Sequence, residues 1–557
     1  MKDKTPVLLA AAAMVFLALL GFVLLPQLDF PWSGTKKKTP REDRDAPRPT
    51  GGTPMLEEPA EEPKTVDAGK GIAWLTKLAA LLQDYERQLK GRDAIQGEVV
   101  LQFKDQAGYE RFLKEAAASG LKIKGTLPGL RAVRASYEAP DALDKYLARH
   151  PNDQTTLGAN YTVEVPEVPP EAERNSGSET PFNGSALAFM GVKDNANWGQ
   201  GVTVAILDSG IGANGAFGDR VRSVSLAENG TTDLSHGTSV ASLAAGVGVG
   251  VSPGASILSV GVVSADGMSD TFTLANGIIT AVDQGASVIN ISLGSYGDSA
   301  VMRQAVAYAA EHGAVIVASD GNDGLADATY PARYEGVIGV GAVDANGSIV
   351  SFSNASQNFG ITAPGLEVMA ALPDNQQGLF SGTSAAAPYI TGSIAGIMTD
   401  NPGMNATQAA QLLLTYADEA GAPGPDADYG YGVVNLSRVQ NRNTPGITDA
   451  AVASHFFDAK ADGGPVVQYV VENRGTTALL NWQYQTNTNG LVQQWTLPIV
   501  QANEEAVIRV PVNPSQTGSS GLHEFESRLI RPAGVTDANP SNNGRGSVVQ
   551  PVSAAGP

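Results

Sequence analysis

Apolar positions along this chain change their spacing several times, and each change marks a different kind of element. Val7 to Leu25 is apolar without interruption. Such a run rises about 28 Å as a helix, enough to cross a bilayer core. It ends in Pro26-Gln27-Leu28-Asp29-Phe30-Pro31-Trp32 with no Ala-x-Ala cleavage signal. Residues 1–32 therefore read as an uncleaved transmembrane anchor, with a cleaved signal as the alternative. Residues 33–70 are rich in Pro, Lys, Arg, Glu and Asp and offer almost nothing to bury, so a disordered linker is expected. Within 71–95, Trp74, Leu75, Leu78, Leu81, Leu82 and Tyr85 recur at helical spacing and predict an amphipathic helix.

Residues 96–166 then alternate strand and helix patterns in the order β-α-β-β-α-β, from the strand run 97–103 to a final strand over 156–166. That series predicts a small ferredoxin-like α+β domain. An exposed linker follows at 167–181. Over 182–440 the apolar runs become continuous and β-branched, as in 201–207, 255–263, 286–293, 314–319 and 336–343. Runs of this kind suit strands covered on both faces. Helical stretches at 235–246, 271–285 and 300–313 lie between them, so this region is expected to be an α/β doubly wound parallel sheet. A site would then lie at the carboxyl ends of its strands. In 447–553, five short alternating strands separated by Gly, Asn, Thr and Pro predict an all-β sandwich.

Composition narrows the function. With 37 basic and 57 acidic residues the net charge is −20, which argues against a nucleic-acid partner, since phosphate binding needs basic surface. There is no cysteine, so disulfides, thiolate metal sites and a cysteine nucleophile are excluded. Lys2 and Lys4 precede the apolar run, while Lys36, Lys37, Lys38, Arg41 and Arg44 follow it. Read literally, the positive-inside rule would hold the large domain in the cytoplasm. Long domains translocate largely regardless of charge, and the expected location is extracytoplasmic, at a cell surface or in a periplasm. A cleaved leader would make the protein secreted.

Three segments carry an acid, a base and a nucleophile in small, glycine-rich surroundings. Asp208 closes the strand pattern 202–207, His236 sits in Ser235-His236-Gly237-Thr238, and Ser384 sits in Gly382-Thr383-Ser384-Ala385. A serine hydroxyl needs a neighbouring base, and that base needs an orienting carboxylate. Asn322, in Gly321-Asn322-Asp323-Gly324 just past a strand pattern, offers an amide to an oxyanion. The N–H of Ser384 at a helix start offers a second donor. Taken singly, each segment would pass as a turn or a capped core helix.

Together, in the order Asp, His, Ser, the segments resemble those of subtilases over roughly 182–436. Shorter segments extend the likeness, among them Tyr330-Pro331-Ala332, Ala363-Pro364-Gly365 and Tyr429-Gly430-Tyr431-Gly432. The resemblance implies a serine endopeptidase with Asp208, His236 and Ser384 as catalytic triad and Asn322 in the oxyanion hole. Ser292, Leu293 and Gly294 would pair with substrate backbone and line the main specificity pocket, opposite Ala318, Ser319 and Gly321. It also implies that residues 96–166 are a propeptide acting as an intramolecular inhibitor. Protein or peptide substrates are the implied partners, with the membrane as a further partner through the N-terminal helix. No cofactor is required; residues 245–251 lack the Asn-rich loop that binds calcium in many relatives, and a structural calcium elsewhere is left open by the sequence. Asp320 stands where relatives usually carry alanine; with Asp323 and Asp327 it raises the expectation of a basic residue in the substrate. The segments 469–478 and 537–543 resemble CARDB-type immunoglobulin-like domains. The main rival reading is a non-catalytic surface protein built on a subtilase shell. A metallopeptidase is disfavoured because no His-Glu-x-x-His motif occurs.

Overall fold

A computed structural model describes residues 68–139, 141–168, 179–193, 195–358, 360–518 and 520–550. The apolar run Val7–Leu25 and most of the linker 33–70 lie outside these residues. Among the described residues no helix is long and apolar enough to cross a membrane.

The first described unit opens with helix α1 (Ala68–Gln88) and continues through β1 (Glu98–Phe103), α2 (Gln106–Glu115), β2 (Leu121–Leu127), β3 (Ala132–Tyr137), α3 (Asp141–Arg149) and β4 (Gln154–Gly158). The four strands form an antiparallel sheet in the order β2-β3-β1-β4. One face buries Val99, Leu101, Phe103, Phe112, Leu143 and Tyr146 together with Tyr85 of α1. The opposite face, through Val100, Leu127 and Ala132, shares a core with the next domain. The run expected as one final strand over 156–166 is broken at Asn160. That buried side chain donates to Glu98 and to Asp270 and accepts from the Thr271 hydroxyl, so the chain turns out of the small sheet there. It resumes as β5 (Thr162–Val163), which is paired elsewhere.

The central domain is built on seven parallel strands: β6 (Thr203–Asp208), β7 (Val221–Ser225), β8 (Ser256–Gly261), β10 (Val288–Ile291), β11 (Val315–Ser319), β12 (Val337–Val343) and β13 (Ile361–Pro364), with the two-residue β9 (Ser269–Asp270) pairing with β5. Their order, β13-β12-β11-β10-β6-β8-β7, reverses direction between β6 and β10. Such a switch point opens a crevice at the carboxyl ends of the two strands. Helices α4 (Ser235–Ala245) and α7 (Thr383–Asp400) cover one face with an alanine-rich core. Helices α5 (Thr271–Asp283) and α6 (Ala300–Glu311) cover the other. A hairpin, β14 (Val368–Leu372) with β15 (Gln376–Phe380), leads into α7, and α8 (Ala406–Thr415) packs behind it. β7 and β13 were not foreseen. β7 is a half-exposed, charged edge strand, and β13 is four residues long and ends in proline, so neither carries a strong apolar run.

The C-terminal domain holds β16 (Ala450–Asp458), β17 (Val466–Asn473), β18 (Gln483–Thr488), β19 (Leu491–Thr496), β20 (Glu505–Pro511), β21 (His523–Ile530) and β22 (Gly544–Val549). They form two antiparallel sheets, β16-β17-β20 and β19-β18-β21-β22, which pack around Tyr469, Trp482, Tyr484 and Phe525. A buried ionic cluster ties this sandwich to the central domain. Arg438 donates to the Ala417 carbonyl (2.7 Å), to Asp418 (3.1 Å), to Asn503 (2.7 Å) and to Glu472. Arg474 donates to Glu472 (2.8 Å) and pairs with Asp418 (2.9 Å). Glu419 lies beside this cluster, and burial, then the charges of Glu505 and Glu472, hold its carboxyl pKa well above the ordinary glutamate range.

The sign of the resulting pH dependence follows from linkage. Glu419 keeps its proton in the folded state while the unfolded chain releases it, so this group makes stability fall as pH rises from the ordinary glutamate range toward its raised value. Glu419→Gln removes that dependence. Urea unfolding between pH 5 and 9 should show the variant gaining on wild type as pH rises, and a constant difference would count against a raised Glu419.

Candidate active site

Four loops and helix starts meet where the sheet reverses direction. Asp208 is the last residue of β6, fully buried, and its Oδ1 accepts from the Ser209 N–H at 2.7 Å. His236 is the second residue of α4, and its Nδ1 lies 2.8 and 3.0 Å from the two Asp208 oxygens. A carboxylate only accepts, so Nδ1 carries a proton and the ring is turned with Nε2 away from Asp208. Nε2 is buried and has no hydrogen-bond partner among the described residues. The approach of α4 to β6 depends on Gly237, where a Cβ would sit 2.2 Å from the Gly210 carbonyl oxygen and 3.0 Å from Asp208 Oδ1.

Ser384 is the second residue of α7, two positions after the N-cap Gly382 at φ 123°, and is 1% exposed. Its N–H precedes those of Ala385 and Ala386, which donate to the Gly382 carbonyl, and so lies in the turn that lacks intrahelical acceptors. Pro388 sits a full turn inside the helix, deeper than a first-turn position. It has no N–H to give the Ser384 carbonyl, and the Ser292 hydroxyl donates to that carbonyl instead (3.2 Å). The Asn290 amide donates to Ser292 Oγ (3.0 Å), and Thr391 donates to Asn290 Oδ1 (3.0 Å), so a buried polar chain runs beneath the serine.

Asn322 follows β11. Its Oδ1 accepts from both the N–H and the hydroxyl of Thr383, each at 2.9 Å, which aims Nδ2 into the crevice. There Nδ2 donates at 2.9 Å to the carbonyl of Pro166, a residue of the segment that leaves the small N-terminal domain. This segment runs through the crevice as an extra strand. Thr162 and Val163 pair with Asp270 and Ser269, and Glu164 exchanges two 3.0 Å backbone hydrogen bonds with Gly294. Val168 reaches Gly382, where a Cβ would come within 3.2 Å of its Cγ2.

The residues expected to line a specificity pocket divide. Gly294 and Gly321 line a cavity of about 610 Å³ beside Pro166, with Thr329, Tyr296 and Asp323. The side chains of Leu293 and Ala318 belong to the apolar core, and Ser292 and Ser319 are fully buried. Asp320 points away from the cavity, since its Oδ1 would clash at 2.5 Å with a Cβ on Gly339 of the neighbouring strand. Burial pushes its pKa up to about 8. Asp327 is exposed and pairs with Arg333. Of the three acids only Asp323 faces the cavity; it accepts from the Tyr296 hydroxyl. Thr329 and Tyr296 were missed as site residues because only the fold brings them to the crevice, while the strap 162–168 includes the tail of the segment read as a propeptide.

The fold and the crevice together define a subtilisin-like serine endopeptidase. Residues 199–432 match the model of the subtilase family. Subtilisin BL of Lederbergia lenta is 37% identical over 244 residues, 42% of this chain and 90% of that protein. The M-protease of Shouchella clausii is 34% identical over 292 residues, 51% of this chain and 76% of that protein. Fervidolysin from Fervidobacterium pennivorans, a keratinolytic enzyme related to subtilisin, superposes with a TM-score of 0.55 at 24% identity, covering 83% of this chain and 77% of that one. The chain belongs to the subtilase family.

Thr383 offers a direct test of how the Asn322 amide is aimed. Thr383→Val removes the hydroxyl that donates to Asn322 Oδ1 and accepts from the Gly321 N–H at 3.1 Å. About tenfold lower kcat with KM nearly unchanged is expected, equivalent to roughly 1.4 kcal/mol. An unchanged kcat would mean that the backbone alone holds the amide.

Proposed function

We propose that this endopeptidase works through Asp208, His236 and Ser384, with Asn322 and the Ser384 N–H receiving the oxyanion. The observation that carries the reading is a peptide carbonyl held on Asn322 Nδ2 beside Ser384 and the Asp208–His236 pair. In the reaction His236 Nε2 takes the Ser384 proton as Oγ attacks the scissile carbonyl. His236 then gives that proton to the leaving amine, and water repeats the sequence to release the acyl group. Asp208 holds the imidazole in the working tautomer throughout. Ser384→Ala should abolish casein hydrolysis and labelling by a fluorophosphonate probe; undiminished cleavage would refute the assignment. Asn322→Ala should lower kcat on the order of 10²- to 10³-fold, a magnitude carried over from a subtilisin amide donor rather than derived from this geometry.

Residues 96–166 are read as an inhibitory propeptide of ferredoxin-like type. What supports this is its grip on the central domain: Arg134, held by Glu98 within its own sheet (2.8 Å), pairs with Asp270 (2.7 Å), and Asp93, just before the first strand, accepts from the Tyr296 N–H. Asp270 also caps α5, so the same carboxylate that anchors the propeptide orders the helix beneath it. Export and tethering by residues 1–32 rest on the apolar run alone.

The cavity beside Pro166 fits a long basic side chain. Asp323 and Asp266 are the carboxylates that the central domain contributes to its lining, and the Tyr296 ring already carries the Arg92 guanidinium 4.3 Å from its centroid. Substrates with Arg or Lys at the residue whose carbonyl meets Asn322 should be preferred. Asp323→Asn should lower kcat/KM for them about tenfold relative to leucine substrates, in the range of one charge-assisted hydrogen bond. Equal loss on both substrates would remove Asp323 from this role.

A further inference from the structure

The strap 162–168 lies across the crevice in the register of a substrate, yet it holds a proline at the position where the chemistry would occur. Counting along the strap from the Glu164–Gly294 pair gives Val165, then Pro166, whose carbonyl accepts from Asn322. The bond set against Ser384 is therefore Pro166–Glu167. The edge segment offers one more acceptor, the Ser292 carbonyl, two residues before Gly294. In an antiparallel ladder the strap residue facing this stretch would answer it with an N–H. Proline has none.

The Ser384 hydroxyl fills that place. Its Oγ lies 3.3 Å from the Ser292 carbonyl oxygen, turned toward that acceptor, and His236 Nε2 has no hydrogen-bond partner among the described residues. We propose that Pro166 makes the strap an inhibitor rather than a substrate, because its missing N–H leaves the Ser292 carbonyl to compete with His236 for the nucleophile's proton. The inference rests on the triad assignment above and adds a ligand class to it: extended peptides with proline at the residue whose carbonyl meets Asn322. It also makes the Ser292 carbonyl a positioning group. A substrate N–H that takes this acceptor releases the hydroxyl toward Nε2, so binding and activation of the nucleophile are linked.

The step that is withheld can be written out. Ser384 Oγ would bond to the Pro166 carbonyl carbon and the Pro166–Glu167 C–N bond would break. The hydroxyl proton would pass through His236 to the Glu167 nitrogen, leaving an acyl-enzyme and a new amino terminus at Glu167. With the hydroxyl proton still on Oγ and directed at the Ser292 carbonyl, its transfer to His236, the first step of that route, is not set up.

Two measurements test the proposal. In the purified full chain, Pro166→Ala should yield a new amino terminus at Glu167 by mass spectrometry, while the wild-type chain keeps that bond intact. Added to enzyme cut in the linker 167–181 by a second protease and freed of its N-terminal domain, the peptide Thr-Val-Glu-Val-Pro-Glu-Val should inhibit casein hydrolysis competitively and stay whole. Its alanine counterpart should be cut before the second Glu. A counterpart with N-methylalanine, which lacks the N–H but has no ring, should resist like the proline peptide. The expected difference is roughly 10- to 100-fold in cleavage rate, the span of one buried hydrogen bond lost. N-methylalanine and alanine peptides cut equally fast, or wild-type chain cut at 166–167, would overturn the proposal. Failure of the triad reading would look different, since casein hydrolysis would then survive Ser384→Ala.

Discussion

Everything in the crevice depends on how closely helix α4 can approach the end of strand β6. His236 reaches both oxygens of Asp208 only because position 237 carries no Cβ, which would otherwise overlap the Gly210 carbonyl. With the imidazole fixed there, its Nε2 is buried and has no hydrogen-bond partner among the described residues. The helix behind it is held by Val240, Ala241 and Ala244, fully buried small residues that let α4 and α7 pack closely. The chemistry is thus set by steric economy in the scaffold, and the polar groups ride on it.

The same logic extends to α7. Pro388 removes one intrahelical bond near the start of a helix that is buried from Thr383 to Ile397, and the Ser292 hydroxyl restores a donor to the freed carbonyl. A defect in the helix therefore becomes a tie between the serine turn and the edge segment that grips the strap. Thr383 adds a second tie, to Asn322. Serine, amide donor and edge segment are held as one unit, which is what preorganised stabilisation of a developing charge requires.

The N-terminal domain meets the crevice through its backbone. Glu164 adds a strand residue to Gly294, so recognition by strand addition works for almost any extended chain and selectivity falls to individual positions. At one of those positions the strap carries proline. Around it, Arg134, Glu98, Asp270 and Asn160 form a buried, mutually satisfied polar cluster that fixes where the strap begins. A cluster of this kind contributes little net stability but strongly penalises misalignment.

The sequence by itself determined the element pattern wherever burial was continuous: the runs around β6, β8, β10, β11 and β12 are apolar on both faces because helices cover both. It also determined the identity of Asp208, His236, Ser384 and Asn322 as candidates, since each stands in a small-residue setting that only close packing demands. Strands with weak apolar signals escaped it, such as the charged edge β7, short β13, and β16 and β22 at the flanks of the sandwich. Only the tertiary structure decided where side chains point. It turned Asp320 toward Gly339 and left Asp323 in the cavity, although the two lie three residues apart. It broke the last N-terminal strand at Asn160 and carried Pro166 onto Asn322. Those outcomes depend on contacts between residues from nineteen to more than a hundred and fifty positions apart, and local spacing holds no record of them.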